Sequence, residues 1–376
     1  MLVEILEPTT MLFNEILESE ILKSPFIQTN RLGFLGYVNS KLDDYLELLN
    51  DLDPDDLAIK GLKTSKSRLV INQTEFVDGL KESIKLYYEG HPESAFNTLK
   101  ETLEKRINKL KSLFSIETYD KGMDFYRIRV LNDNNKLNPE NFFHIPFENR
   151  GKVTSQRFSI PGFPSLYLGQ TIYICWEELN RPNINEFHAI RFQSTSPIKY
   201  INLAPPFFDN NLYQVKYYKY LVSWPLMFLC SIKVKNKNDI FKPEYIIPQL
   251  LLQWIRDNKD IDGVKYWSTH VDKDPTIFKG DFFNMILPVK KNMDSGLCES
   301  LTKKFVSTEV ISWQLLEFAT GGGEMWETSN ECQKIDNKIE YLELIKGARY
   351  PYSYSAFGKM ELFLDLQKLQ KIKRIS

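Results

Sequence analysis

The stretch YDKGMDFYRIRVL, residues 119–131, marks the place where the hydrophobic pattern of this chain changes. Before it, apolar residues recur at every third or fourth position, which is typical of helices. Within it the pattern alternates, so that Phe125 and Arg127 share one face while Tyr126 and Ile128 share the other. Alternation of this kind is typical of a β-strand. The sequence therefore predicts a domain boundary close to the start of this stretch, with helices before it and a sheet after it.

The region before the boundary is predicted to form an α-helical N-terminal domain over residues 1–118. Its clearest helical pattern places apolar residues on one face from Phe96 to Phe114, after the turn-like sequence GHPES. Weaker patterns of the same kind occupy residues 11–22, 41–50 and 75–88. No segment recurs at a fixed period, so a repeat protein is not expected.

The region after the boundary contains short segments that predict strands, separated by loops rich in Pro and Asn. Besides the opening stretch, these segments are SLYLG (165–169), FHAIRFQ (187–193), IKYINLA (198–204) and GVKYWST (263–269). One helix is predicted over about Tyr245 to Asn258, and no Gly-rich phosphate loop follows a strand. These elements predict a mixed α+β domain over residues 119–300 rather than a doubly wound sheet. Residues 301–376 are predicted to be a C-terminal extension packed on that domain.

Composition and charge restrict the classes of function. Of the 376 residues 43% are hydrophobic, which is enough for packed cores, and 48 Lys and Arg residues nearly balance 49 Asp and Glu residues. This balance gives no overall field for binding nucleic acid or an anionic membrane, so we expect neither as a partner. The longest apolar stretch, WPLMFLCSI (224–232), is far shorter than the roughly 20 residues of a membrane span. The N-terminus lacks a signal-peptide pattern and the four Cys residues lack CxxC spacing, so we expect a cytoplasmic protein without a metal site.

Polar residues at three places in or beside apolar strands are candidates for function, because a buried polar group is costly unless it is paired or binds a ligand. Arg127 lies within FYRIR and has the forked donors that suit phosphate or carboxylate. Glu177 and Glu178 follow an apolar run, and Ser268 lies near the end of GVKYWST. Each position also has an ordinary structural explanation: a salt-bridged strand Arg, Glu residues on a helix surface, or a Ser that caps a strand end.

In their order along the chain, these positions resemble the RES family of bacterial NAD-degrading toxins, named for an arginine, a glutamate and a serine. The resemblance covers roughly residues 124–290 in three blocks. The matching residues are Tyr126-Arg127; Gln156-Arg157-Phe158-Ser159, Pro161-Gly162, Leu166-Tyr167-Leu168 and Glu178; and Asp262-Gly263, Tyr266 and Ser268. Counting without a gap places the family glutamate at Glu178, and a one-residue slip places it at Glu177. Gln156 stands where the family usually has a glycine, and the chain extends well beyond the compact family members on both sides.

The resemblance implies an ADP-ribosyltransferase-like mixed β core that binds NAD in a cleft, as a substrate and without a metal. In this implied site Arg127 and Arg157 hold the pyrophosphate, and Tyr167 forms a wall for the nicotinamide. Glu178, or its neighbour in the shifted alignment, offsets the charge of the sugar cation. Ser268 hydrogen-bonds the nicotinamide amide or the ribose.

The function that the resemblance implies is that of an NAD-degrading enzyme, a glycohydrolase or phosphorylase acting as a bacterial toxin or defence effector. Two alternatives stay open. One is an ADP-ribosyltransferase that modifies a macromolecule, and the other is a catalytically inactive interaction protein. The family also suggests a cognate antitoxin or another inhibitory protein as a partner.

Overall fold

The computed structural model describes residues 13–28, 32–53, 65–110, 115–131, 137–207, 214–271, 280–320, 329–345 and 347–373. The chain forms two compact units. The first consists of the described residues up to Ile116 and of those between Pro205 and Trp254. The second consists of those in Glu117–Ala204 and those from Ile255 onward. The second unit is therefore interrupted in sequence by a segment that belongs to the first.

Helices and strands are numbered in chain order within the described residues. The helices are α1 (Phe13–Glu18), α2 (Phe34–Asn50), α3 (Lys66–Tyr88), α4 (Pro92–Leu110), α5 (Ile172–Glu178), α6 (Gln214–Ser231), α7 (Ile246–Asp257), α8 (Glu299–Thr302), α9 (Trp313–Thr320), α10 (Ser329–Asp336) and α11 (Ala356–Asp365). The strands are β1 (Ile116–Tyr119), β2 (Asp124–Val130), β3 (Ser165–Gly169), β4 (Phe187–Ser194), β5 (Ile198–Leu203), β6 (Gly263–Trp267), β7 (Phe283–Pro288), β8 (Phe305–Ser307), β9 (Ile311–Ser312), β10 (Tyr341–Ile345), β11 (Ala348–Pro351) and β12 (Gln370–Lys371).

Ten of these strands form one mixed sheet in the order β1-β5-β6-β7-β3-β2-β4-β8-β12, with β9 paired to β4. Strands β5 and β6 are parallel, whereas the neighbours from β6 to β12 are antiparallel. Strands β10 and β11 form a separate antiparallel pair. A large mixed sheet with packed helices confirms the predicted α+β class.

The strand patterns of the sequence correspond to β2 through β6. The segment SLYLG forms β3, and the opening stretch forms β2, which pairs along its full length with β4. The alternation within β2 is confirmed, because Tyr126 and Ile128 belong to one hydrophobic cluster and Phe125 to another. The two residue sets fall into different clusters because successive side chains of a strand point to opposite faces of the sheet.

The first unit is an assembly of helices. At its centre Trp224 of α6 is fully buried and stacks on Tyr45 of α2, with 4.8 Å between the ring centroids. The Tyr45 hydroxyl donates a hydrogen bond to the carbonyl of Leu221 at 2.8 Å. Helix α4 is described as far as Leu110, so the predicted continuation to Phe114 lies outside the described residues. No helix in the described ranges combines the length and apolarity needed to cross a bilayer.

The division of the chain differs from the predicted domains in one respect. Residues 205–254, which the sequence pattern predicts as part of the domain 119–300, belong to the first unit. They contain α6, which is almost entirely buried from Tyr217 to Cys230. A helix that is apolar all round lacks an amphipathic period and needs other elements around it, so its partners cannot be read from local pattern. Residues 301–376 belong to the second unit, where β8, β9 and β12 extend the sheet.

Among its described residues the second unit has two hydrophobic clusters, divided by the alternation of β2. One contains Phe125 with apolar residues of β3, β5 and β7. The other contains Tyr126 and Ile128 and brings together α5, α11 and Tyr352. Helix α5 therefore starts in a core that the C-terminal extension helps to build.

Candidate active site

Glu178 is the last residue of α5, a seven-residue helix that follows β3 directly. The side chain of Thr171 caps this helix by accepting a hydrogen bond from the backbone N–H of Ile174 at 3.3 Å. Oε1 of Glu178 accepts hydrogen bonds from Oγ of Ser268 at 2.6 Å and from Nδ2 of Asn284 at 2.8 Å. The carboxylate is therefore fixed where α5, the end of β6 and the start of β7 meet.

Ser268 follows β6 and is fully buried. Its hydroxyl donates to Glu178 and accepts a hydrogen bond from the backbone N–H of His270 at 3.2 Å. A serine hydroxyl has a single proton to donate, and here that proton is directed to Glu178. In this arrangement Ser268 holds the carboxylate, whereas the resemblance implies a direct hydrogen bond to substrate.

Glu177 has different surroundings. It is buried, and its two carboxylate oxygens accept hydrogen bonds from Nε and Nη2 of Arg181 at 2.9 and 3.1 Å. The Arg181 guanidinium also lies over the ring of Trp176. Of the two glutamates that the sequence left open, the structure brings Glu178 together with Ser268, and it pairs Glu177 with the turn after α5.

Arg127 lies on β2, half-buried, and its neighbour Arg129 projects to the same side of the strand. Nη1 of Arg127 and Nη2 of Arg129 both donate to the carbonyl of Phe143, at 2.9 and 3.2 Å. Burial lowers the pKa of Arg127 to about 9, and the positive charge of Arg129 makes a smaller contribution in the same direction. Arg127 is therefore still a cation at neutral pH. Neither guanidinium is paired with a carboxylate among the residues that the structure describes. Two half-buried cations of this kind favour an anionic ligand.

Arg157 is half-buried at the tip of a tight turn. The turn is closed by reciprocal backbone hydrogen bonds between Gln156 and Ser159, at 3.2 and 3.1 Å. Gln156 is not among the described residues with a left-handed backbone, so the turn forms without the glycine that the family usually has there. The ring of Phe158, the next residue, packs on that of Tyr266 with 4.8 Å between centroids.

Tyr266 on β6 connects several of the predicted positions. Burial is the largest cause that raises the pKa of Tyr266 well above its usual value. The charge of Glu178 and the nearby Tyr167 raise the pKa further, whereas the charge of Arg157 lowers it. Tyr266 also lies opposite Asn284 in the pairing of β6 with β7. Glu178, Tyr167 and Arg157 are thus all within electrostatic range of one buried tyrosine.

Sequence analysis did not identify two further residues at Glu178. Asn284 is a buried amide within the apolar strand FNMILP, so the signal that identified Arg127, a polar residue in an apolar strand, was present there too. His270 lies two residues after Ser268, with Nε2 at 3.9 Å from Oε2 of Glu178. Nothing in the sequence distinguishes His270 from an ordinary loop residue. Within the described ranges, no three His, Cys, Asp or Glu side chains group as a metal site would require.

The chain is similar to a curated protein of Bacillus subtilis (strain 168) named "Putative toxin YopC". The two are 29% identical over 350 residues, which cover 88% of this chain and 75% of that protein. No protein-family model matches the chain, and no solved structure gives a significant match. The similarity to the Bacillus subtilis protein is long enough to extend over parts of both compact units.

Proposed function

We propose that the second unit binds NAD and cleaves its nicotinamide–ribose bond, and that the protein acts as a bacterial toxin or defence effector. The observation that carries the proposal is the carboxylate of Glu178, fixed by Ser268 and Asn284 where three elements meet. The name of the Bacillus subtilis relative supports a toxin role. The order Arg127, Glu178, Ser268, which resembles the RES family, supports the NAD chemistry and an ADP-ribosyltransferase-like fold.

The arginines supply the proposed binding energy for NAD. Its pyrophosphate brings two negative charges, and Arg127 and Arg129 offer two cations held by a shared carbonyl. Arg157, on its tight turn, is the third candidate for the pyrophosphate. Tyr167 is the candidate wall for the flat nicotinamide ring.

In the proposed reaction the bond between ribose C1′ and the nicotinamide nitrogen breaks, and its electron pair stays on the nitrogen. Nicotinamide leaves as a neutral molecule, while positive charge develops on the ribose as it does in glycosidases. Oε1 of Glu178 is occupied by Ser268 and Asn284, so Oε2 is the atom that would contact the ribose hydroxyls and offset this charge. One preorganised group of this type contributes on the order of 3 kcal/mol to catalysis.

An acceptor oxygen then bonds to C1′ and releases its proton. Water as the acceptor gives hydrolysis, and inorganic phosphate gives phosphorolysis. A side chain of a macromolecule as the acceptor gives ADP-ribosyl transfer. Mass analysis of the ribosyl product distinguishes the three, because each product has a different mass.

The test is nicotinamide release from NAD by the purified protein. We expect Glu178→Gln to reduce turnover by about 100-fold or more, because it keeps the shape but removes the charge. Glu177→Gln is the matched control: it removes an adjacent charge that pairs with Arg181, and we expect turnover within about threefold of wild type. Wild-type protein that releases no nicotinamide would leave an inactive interaction protein as the better explanation. Full turnover in Glu178→Gln would exclude the carboxylate mechanism.

The toxin role has its own test in bacteria. Expression of the wild-type chain should lower cellular NAD and slow growth, and expression of Glu178→Gln to the same level should do neither. Growth inhibition that persists in Glu178→Gln at normal NAD would separate toxicity from this site.

A further inference from the structure

Glu361 of α11 is a fully buried carboxylate with a complete set of partners. Its Oε1 accepts hydrogen bonds from the backbone N–H of Ile172 at 2.7 Å and from the hydroxyl of Tyr352 at 2.6 Å. Its Oε2 accepts a hydrogen bond from Nζ of Lys338 at 2.8 Å. A buried charge is tolerated only when it is paired and hydrogen-bonded, and Glu361 meets both conditions.

The contacts of this network converge on the start of α5. Ile172 is the first residue of that helix, and the backbone N–H of Tyr173 donates to the Tyr352 hydroxyl at 3.4 Å. At 1.5 Å per residue, Ile172 and Glu178 are only about 9 Å apart along the helix axis. A helix this short moves as one piece, so a displacement at Ile172 is passed on to the carboxylate of Glu178.

The same network reaches the strand that carries Arg127. Lys338 is buried except for 13% of its side chain, and its Nζ also donates to the hydroxyl of Tyr126 at 2.9 Å. The ammonium lies over the Tyr126 ring as well, 4.6 Å from its centroid. Tyr126 directly precedes Arg127 on β2, so Lys338 and Glu361 connect β2 with α5.

We propose that Glu361 is a positioning residue: through α5 it places the carboxylate of Glu178, with Lys338 fixing the same network to β2. The inference rests on the proposed function, because it concerns the same carboxylate. It assigns to the C-terminal extension a part in the active site, although none of its residues lies in the sequence blocks that resemble the RES family.

Asp365 provides a matched control on the same helix. It is also a largely buried carboxylate, and it pairs with Arg191 of β4 and Lys334 of α10. These partners do not belong to α5. Loss of either charge should therefore destabilise the fold, whereas only loss of Glu361 should displace Glu178.

The first arm of the test measures steady-state cleavage of NAD by the full chain. For Glu361→Gln we expect kcat to fall by about 10- to 100-fold, as small misplacements of catalytic groups do, with KM within about twofold. Asp365→Asn should keep kcat within about twofold at a temperature where it is folded. Equal losses of kcat in the two variants, or an unchanged kcat in Glu361→Gln, would overturn the inference.

The second arm measures amide hydrogen exchange of peptides from residues 170–180, and it needs no activity. Glu361→Gln should speed exchange at the amides of Ile172 and Tyr173 by about tenfold or more, and Asp365→Asn should not. If Glu361→Gln does not fold, the double variant E361Q/K338M removes both charges of the buried pair and serves in its place. Exchange at α5 that is unchanged would also overturn the inference. If wild type releases no nicotinamide, the proposed function fails, and the exchange data alone decide whether Glu361 holds α5.

Discussion

The hydroxyl proton of Ser268 provides a prediction at the scale of a single residue. Since it is directed to Glu178 and the side chain is fully buried, Ser268→Ala should lower kcat by about tenfold or more while KM changes by less than about twofold. Steady-state kinetics of nicotinamide release measures both constants, with Thr269→Ala as the neighbouring control. A raised KM with an unchanged kcat would instead indicate direct contact between Ser268 and the substrate.

Arg127 should show the opposite kinetic behaviour. Its proposed partner is a phosphate that is present in both the ground state and the transition state, so the interaction is expressed mainly in KM. Arg127→Ala should raise KM for NAD by about tenfold or more, in line with the strength of a charged hydrogen bond, and leave kcat within about threefold. Arg150→Ala is the control, because Arg150 contacts Asn292 and the backbone carbonyls of Phe147 and Met293, none of which belongs to the proposed site. A loss confined to kcat would argue against a phosphate contact.

Two buried groups of the second unit give opposite dependences of stability on pH. Burial raises the pKa of Asp281 to about 6, so between about pH 4 and 6 the folded state holds more protons and stability falls as pH rises. Burial lowers the pKa of His144 to about 4, so between about pH 4 and 6.5 the unfolded state holds more protons and stability rises with pH.

Removing Asp281 should therefore expose the contribution of His144. We expect the melting temperature of Asp281→Asn to rise more steeply from pH 4 to pH 6 than that of wild type. The difference corresponds to about 1–3 kcal/mol across the window. Thermal unfolding at several pH values measures it, and parallel curves for the two proteins would show that Asp281 does not titrate in this range.

At the scale of elements, the pairing of β6 with β7 explains Gly263 in the third block of the RES-like pattern. A Cβ at this position would lie 2.3 Å from the carbonyl oxygen of Ile286 on the opposite strand. Gly263→Ala should therefore separate the two strands that carry Ser268 and Asn284, at a cost of about 1–3 kcal/mol in unfolding free energy. Gly151→Ala is the control, since its Cβ would meet nothing within 4 Å and we expect a change below about 0.5 kcal/mol. Equal stability of the two variants in urea unfolding would contradict this explanation.

The glycine of the preceding block has a different reason to be present. Gly162 has a φ of +77°, and a Cβ there would meet nothing within 4 Å. Glycine is therefore favoured here because the turn after Pro161 needs a left-handed backbone, and not because neighbouring atoms leave no room for a side chain.

The sequence predicts some elements of the structure and not others. β2 to β6 were predictable because each is a short run rich in aliphatic and aromatic residues, bounded by loop residues, and most of its side chains are buried. Helix α6 was not, since its second half is apolar on nearly all sides and contains Pro225. The hydrogen bond from Ile172 to Glu361 joins residues 189 positions apart, and a contact over such a distance leaves no local trace. The resemblance implies that Glu178 and Ser268 both belong to the site. It does not predict the hydrogen bond between them.

At the scale of the whole molecule, the discontinuous first unit changes the expected result of a truncation. The sequence pattern suggests that residues 1–118 can be removed as a separate domain. Trp224 is, however, buried against Phe26 and Tyr45 within the first unit, so deletion of residues 1–116 alone should leave α6 exposed and the remainder insoluble.

A second deletion provides the contrast. Removing residues 1–116 and also replacing 205–254 by a flexible linker of about a dozen residues keeps a connection long enough for the parallel strands β5 and β6. This variant should be soluble and retain far-ultraviolet circular dichroism typical of an α+β protein. Solubility of the single deletion equal to that of the double one would mean that α6 does not depend on residues 1–116.

The contacts of Glu361 also have a consequence for the synthesis of the chain on the ribosome. Arg127, Glu178, Ser268 and Asn284 are all synthesised before Glu361, which emerges roughly 80 residues after the last of them, or on the order of 4–16 s later at bacterial elongation rates. During that interval the nascent chain holds every side chain of the proposed site but lacks the carboxylate that holds α5 in place. A cell that makes this protein would therefore have several seconds in which the side chains of the proposed site are present but their activity is still reduced.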